Sequence, residues 1–94
     1  MTTEVRNDTE QNQYSLIEDG TVIGFAAYEL DDDEIRFVHT EVEPEHRGGG
    51  HASTLVEQAL DDVRSNSTRS VVPQCSYVRI WIDRHPDYQE LLSR

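Results

Sequence analysis

An arginine, three glycines and the start of a helical pattern stand together at Arg47-Gly48-Gly49-Gly50-His51-Ala52-Ser53. The first amides of a helix lack intrahelical partners, and the macrodipole places about half a positive charge there. Glycines admit an anion to hydrogen-bonding range because no Cβ intervenes. Arg47 adds a fixed charge and a planar donor fork. The stretch therefore reads as an anion site rather than a flexible turn whose glycines serve only packing. Other phosphate loops fit worse. Neither G-x-x-x-x-G-K-[ST] nor G-x-G-x-x-G is present, and a dinucleotide site would also need a parallel βαβ unit.

The elements around this loop follow from periodicity. Residues 1–12 form a polar N-terminal segment, expected to fray at its start, and residues 13–94 form one domain. QYSLIE predicts a first strand, and Asp19-Gly20 is a hairpin signal leading into the second, TVIGFAAYEL. After the acidic turn Asp31-Asp32-Asp33 comes a third strand, EIRFVHTEV. Its alternation sends Ile35, Phe37, His39 and Glu41 one way and Arg36, Val38, Thr40 and Val42 the other. Pro44 ends that strand. From Ala52 to about Arg64 apolar residues recur every three or four positions, which predicts a helix. SVVPQC predicts a short buried strand. SYVRIWIDRH fits either a strand or a helix; the helix is preferred, with Ser76 as N-cap and Tyr77, Val78, Trp81 and Ile82 buried. Pro86 starts a short terminal helix. The order is β-β-β-α-β-α-α, with no repeat or linker.

Composition narrows the partners. The chain has 94 residues, 19 acidic and 8 basic, for a net charge of −11, and every basic residue is arginine. Such a surface argues against nucleic acid and against anionic membranes, both of which require basic surfaces. An acidic, lysine-free composition suits high salt, where the Debye length shrinks to about 3 Å at 1 M, and it resembles that of halophilic archaeal proteins. One cysteine, Cys75, excludes an intramolecular disulfide. The N-terminus has no apolar signal-peptide core, and no apolar run approaches the ~20 residues of a membrane helix. A cytoplasmic location is expected.

Arg47, Gly50 and Ala52 match the R/Q-x-x-G-x-G/A motif of the GCN5-related N-acetyltransferases, and the chain resembles that family. HTEVEPEHRGGGHASTLVEQAL and VVPQCSYVRIWIDRHPDYQELL resemble two further segments of its small, single-domain YjdJ-type members. The resemblance covers roughly residues 13–92. It implies an α/β (α+β) fold with a mixed, mostly antiparallel sheet and a splayed strand pair. The third and fourth predicted strands would diverge, with the pantetheine arm of acetyl-CoA in the gap. Backbone near Glu41, Val42 and Glu43 would pair with that arm. Arg47, Gly48, Gly49, Gly50, His51, Ala52 and Ser53 would seat the pyrophosphate. The chain has no room for the helices that usually wall off the acceptor site. The groove would then be open, or completed by a partner such as a second copy in a homodimer.

Acetyl transfer to an amine needs a base for the amine, donors for the oxyanion and a proton for the leaving thiolate. Cys75 would lie near the thioester; the matching cysteine of the subfamily is considered catalytic, as nucleophile or as acid to the CoA sulfur. A following helix start would favour its thiolate, while a buried structural thiol is the alternative. His39 or Glu41 could serve as base, directly or through water. Tyr77 could act as a phenolic acid, but core packing suits it better. His46, His51 and His85 do not share metal-ligand spacing with Cys75, so no metal is expected. The leading function is N-acetylation of a primary amine, on a small molecule or a protein. A non-catalytic acyl-CoA-binding module is the alternative, and a purely structural interaction domain is the third.

Overall fold

A computed structural model describes residues 3–94. Five strands form one sheet in the order β1-β2-β3-β4-β5. They are β1 (Thr3–Asp8), β2 (Gln13–Glu18), β3 (Thr21–Leu30), β4 (Glu34–Val42) and β5 (Ser70–Pro73). The first four pair antiparallel, and β5 lies parallel to β4. Between β4 and β5 run a 3₁₀ turn, Pro44–His46, and helix α1 (His51–Asn66). Helix α2 (Ser76–Asp83) and a 3₁₀ stretch, Pro86–Ser93, complete the chain. No helix of the described residues is long and apolar enough to cross a membrane.

Strand β1 is an element the sequence reading did not expect, while the fraying expected at the very start falls on residues 1–2, outside the described residues. TEVRND offers only Val5 to the core, so hydrophobic patterning cannot reveal it. The ladder holds it instead, pairing Thr3 with Glu18 through Asp8 with Gln13. Charged side chains suit such an edge because they discourage further strand addition. Asn7 Oδ1 also accepts a 2.6 Å bond from the Tyr28 hydroxyl. The Asp19-Gly20 signal holds: φ is +48° and +84°, as a type I′ hairpin requires.

The core lies between the sheet and the two helices. Leu55, Val56, Ala59, Leu60 and Val63 of α1 are buried against Tyr14, Leu16, Ala26, Tyr28 and Phe37 of the sheet, together with Val78, Trp81 and Ile82 of α2. The expected helix after Cys75 therefore forms. Its N-cap is Cys75 rather than Ser76, and Tyr77 is 39% exposed rather than in the core. The terminal stretch from Pro86 is 3₁₀.

Strand β4 breaks its own alternation. Ala27 pairs with His39 but Tyr28 pairs with Phe37, which leaves Val38 as an extra residue. A bulge of this kind shifts the phase of everything beyond it. Ile35, Phe37 and Val42 are consequently buried, whereas His39 and Glu41 are exposed. The predicted common face of Ile35, Phe37, His39 and Glu41 is split at Val38.

One glycine fixes the far end of β4. A Cβ on Gly24 would fall 2.8 Å from the Glu41 carbonyl oxygen and 3.1 Å from Val42 Cγ2. Gly24→Ala must push backbone aside, which costs about 1–3 kcal/mol. Urea unfolding of the variant should show that loss; unchanged stability would mean that β4 yields there freely.

Candidate active site

The strands of the β4–β5 pair part company half-way along β4. Their ladder runs from Glu34↔Ser70 to Phe37↔Pro73 and stops. The Cys75 amide makes the last link, donating to the Phe37 carbonyl at 2.8 Å. Proline has no N–H to continue a ladder, and Ser76 already begins α2. The remainder of β4, through Val42, keeps β3 on one side and leaves its other edge open to a cleft of about 580 Å³.

The glycine loop forms one end of this cleft. Gly48 and Gly50 hold φ of +86° and +80°, and a Cβ at either would meet nothing within 4 Å. Their requirement is conformational, since side-chain-bearing residues disfavour this region. Gly50 is the N-cap of α1 and makes no side-chain cap bond, so the helix opens on bare amides facing the cleft. Arg47 Nε donates to the Val42 carbonyl at 3.1 Å, which ties the loop to the end of β4. Ser53 Oγ accepts from Trp81 Nε1 at 2.8 Å, which joins the start of α1 to α2.

Of the ten residues expected to hold a cosubstrate, Glu41, Val42, Arg47, Gly48, Gly50, His51, Ala52 and Ser53 line the cleft. Glu43 and Gly49 do not; the Glu43 amide turns back to donate to Ile23. His39 lines it too, with its Nε2 3.5 Å from Glu41 Oε1. The His39 ring sits 5.8 Å from that of Phe25.

Cys75 is not among the residues that line the cleft; it associates with Thr40, which does line it, and not with His39. Its Sγ lies 3.5 Å from Thr40 Oγ1. Burial pushes the thiol pKa up, but the Val78 amide, the Thr40 hydroxyl and the Tyr77 and Thr40 amides together outweigh it, and the net pKa falls below the ordinary thiol value. The helix start anticipated from the sequence thus acts through specific amides. Thr40 and His46 are cleft-lining residues that sequence reasoning did not place there, and Tyr77, weighed as a phenolic acid but assigned to the core, lines the cleft as well. For Thr40 a signal existed, since it follows His39 directly and must face the other way. His46 gave no such signal; its Nε2 lies 3.3 Å from Glu18 Oε2 across to the end of β2. Among the described residues, no group of three His, Cys, Asp or Glu side chains is placed to hold a metal ion.

With this geometry in view, a family model described as GCN5-related N-acetyl-transferase matches residues 13–91. The chain belongs to the GCN5-related N-acetyltransferases. Among solved structures, it superposes on an NMR structure of a GCN5-like protein from Staphylococcus aureus with a TM-score of 0.70 at 21% identity, covering 94% of this chain and 85% of that one. A ribosomal-protein-alanine N-acetyltransferase from Brucella melitensis biovar Abortus 2308 matches with a TM-score of 0.61 at 20% identity, covering 78% of this chain and 59% of the other. At these identities the likeness shows the fold. In sequence, the chain is 30% identical over 87 residues to a mycothiol acetyltransferase of Stackebrandtia nassauensis. That alignment takes in 90% of this chain but only 26% of the relative, so the chain spans about a quarter of that enzyme. As a GCN5-related N-acetyltransferase fold, the sheet keeps its parted strands and its glycine loop with few surrounding helices.

Proposed function

We propose that the protein is an acetyl-CoA-dependent N-acetyltransferase acting on a primary amine. The cleft carries this reading: one continuous groove joins the bare amides of α1, the open edge of β4 and Tyr77 at the start of α2. A structural neighbour from Clostridium acetobutylicum, described as a predicted acetyltransferase and solved with acetyl-CoA (TM-score 0.51, 15% identity, 78% of this chain and 55% of that one), supports the choice of ligand. The pyrophosphate would lie on the loop amides and Arg47, and the pantetheine arm along β4 near Val42. Arg47 already occupies the Val42 carbonyl, so the arm must share that acceptor or displace the guanidinium from it.

In the transfer the C–S bond of acetyl-CoA breaks and CoA leaves with a proton. Either the amine nitrogen attacks the acetyl carbon directly, with Cys75 as acid to the CoA sulfur, or the Cys75 thiolate takes the acetyl group first. In the second case the amine then attacks that acetyl carbon, releasing the Cys75 thiol. Cys75 stands at the fork of the strands, where the thioester would end. His39 and Glu41 form a second group on the open face, exposed by 58% and 55%, and would take the amine's proton. The same exposure favours the second reading, a non-catalytic acyl-CoA-binding module, because no wall encloses an acceptor there. The acidic, lysine-free composition supports operation at high salt.

Two measurements decide. Trp81 is the sole tryptophan and bonds to Ser53 in the cleft wall, so acetyl-CoA should change its fluorescence saturably. Thiol release from acetyl-CoA with a panel of primary amines then separates enzyme from module. Saturable binding without turnover on any amine would favour the module; no binding would end both readings.

A further inference from the structure

The Cys75 thiol donates to Thr40 Oγ1 on β4 at 3.5 Å. That hydroxyl, together with the Thr40 amide and the Tyr77 and Val78 amides of α2, favours the ionised form of the sulfur. The bulge at Val38 makes this possible, because it sets the phase that turns Thr40 into the parted end of the sheet while His39 and Glu41 face away. The fork bond from the Cys75 amide to Phe37 fixes the sulfur's backbone on the other side.

We propose that Thr40 is a positioning residue that holds Cys75 as a reactive thiolate at the parted end of β4 and β5. The assignment rests on Cys75 facing the thioester in the function proposed above, but its chemistry is measurable without acetyl-CoA. A hydroxyl 3.5 Å from sulfur donates its proton to a thiolate and has only a weak donor to accept from when the sulfur is a thiol. It therefore favours the ionised form, as any hydrogen bond to the charged state does. The surrounding groups leave this role to neutral donors. His39 and Glu41 stand on the opposite face of β4, and the Tyr77 phenol is the titratable side chain that α2 brings to the cleft. No charged side chain enters among the groups that set the thiol's pKa.

Because Cys75 is the sole cysteine, the rate of alkylation by iodoacetamide against pH reports its ionisation alone. The midpoint in the folded protein should lie below that in urea. Thr40→Val should raise it by about one pH unit and slow alkylation at pH 7 roughly tenfold. Thr40→Ser, which keeps the hydroxyl, should leave the midpoint where it was. Equal midpoints for folded and urea-unfolded wild type would overturn the proposal even if no Thr40 variant folds. An unshifted midpoint in a folded Thr40→Val protein would overturn it as well. A shifted midpoint in a protein that transfers no acetyl group would uphold the role of Thr40 and count against the enzymatic reading instead.

Discussion

Replacing Cys75 by alanine is expected to lower acetyl transfer about 100-fold or more, with acetyl-CoA affinity changed by less than about threefold. The split follows from geometry. The end of the cleft proposed to seat the pyrophosphate is built from α1 and its loop, while Cys75 belongs to the fork of β4 and β5. Removing the sulfur leaves the first intact and empties the second. Cys75→Ser should remain nearly as inactive, since the same donors cannot bring a hydroxyl's far higher pKa near neutrality. The pH profile then separates the two roles open to the thiol. Burial raises its pKa, yet four donors bring it below the ordinary value. As nucleophile it acts in the ionised form, so kcat/KM should rise with pH through that lowered pKa and level off above it. As acid to the departing CoA sulfur it acts protonated, and the profile should fall over the same interval. The donor arrangement favours the rising limb. Activity within fivefold of wild type in Cys75→Ala would remove the thiol from the reaction and leave the amine's proton to His39 and Glu41 in a direct transfer.

How far such a site is legible in the sequence depends on which interactions make it. The glycine loop is legible because its requirement is local: positive φ at Gly48 and Gly50 and a helix beginning at once. Helix α1 is legible because it presents an apolar face at helical spacing, whereas the apolar residues of α2 fit a strand as well as a helix. Strand β1 is not, because its partner is a backbone ladder and the sequence records only one inward residue, Val5. The bulge at Val38 is the more consequential omission. Nothing in EIRFVHTEV marks an extra residue; it exists because β3 pairs across it in two registers. Strict alternation therefore placed His39 and Glu41 with the core residues, and the pairing reverses them. Alternation still grouped those two with each other and Thr40 apart from them, since all three lie beyond the bulge. Tyr77 shows a different limit. The helical spacing of Tyr77, Val78, Trp81 and Ile82 fits one apolar face, but that face is narrower than four residues, and the one nearest the helix start turns to the cleft.

Arg47→Ala should weaken acetyl-CoA binding by roughly 10- to 100-fold, the worth of a charge-assisted contact to phosphate. Arg47→Lys should recover only part of it, because a point charge cannot both hold the Val42 carbonyl and present a planar fork. The salt dependence makes the prediction sharper. CoA is an anion approaching a chain of net charge −11. At 0.01 M salt the Debye length is about 30 Å, comparable with the molecule's own 35 × 29 × 20 Å extents, so every carboxylate opposes entry. At moderate salt that long-range field collapses, whereas contacts between phosphate, loop amides and Arg47 act over a few ångströms and are screened less. Wild-type affinity, followed through Trp81 fluorescence, should therefore hold or rise from low to moderate salt. In Arg47→Ala the repulsion remains and the short-range attraction is diminished, so affinity should climb more steeply over the same range. A steep, monotonic loss of wild-type affinity with salt would mean that attraction by exposed cations governs binding. With 8 arginines against 19 acidic residues, that outcome would place the anion somewhere other than the glycine loop.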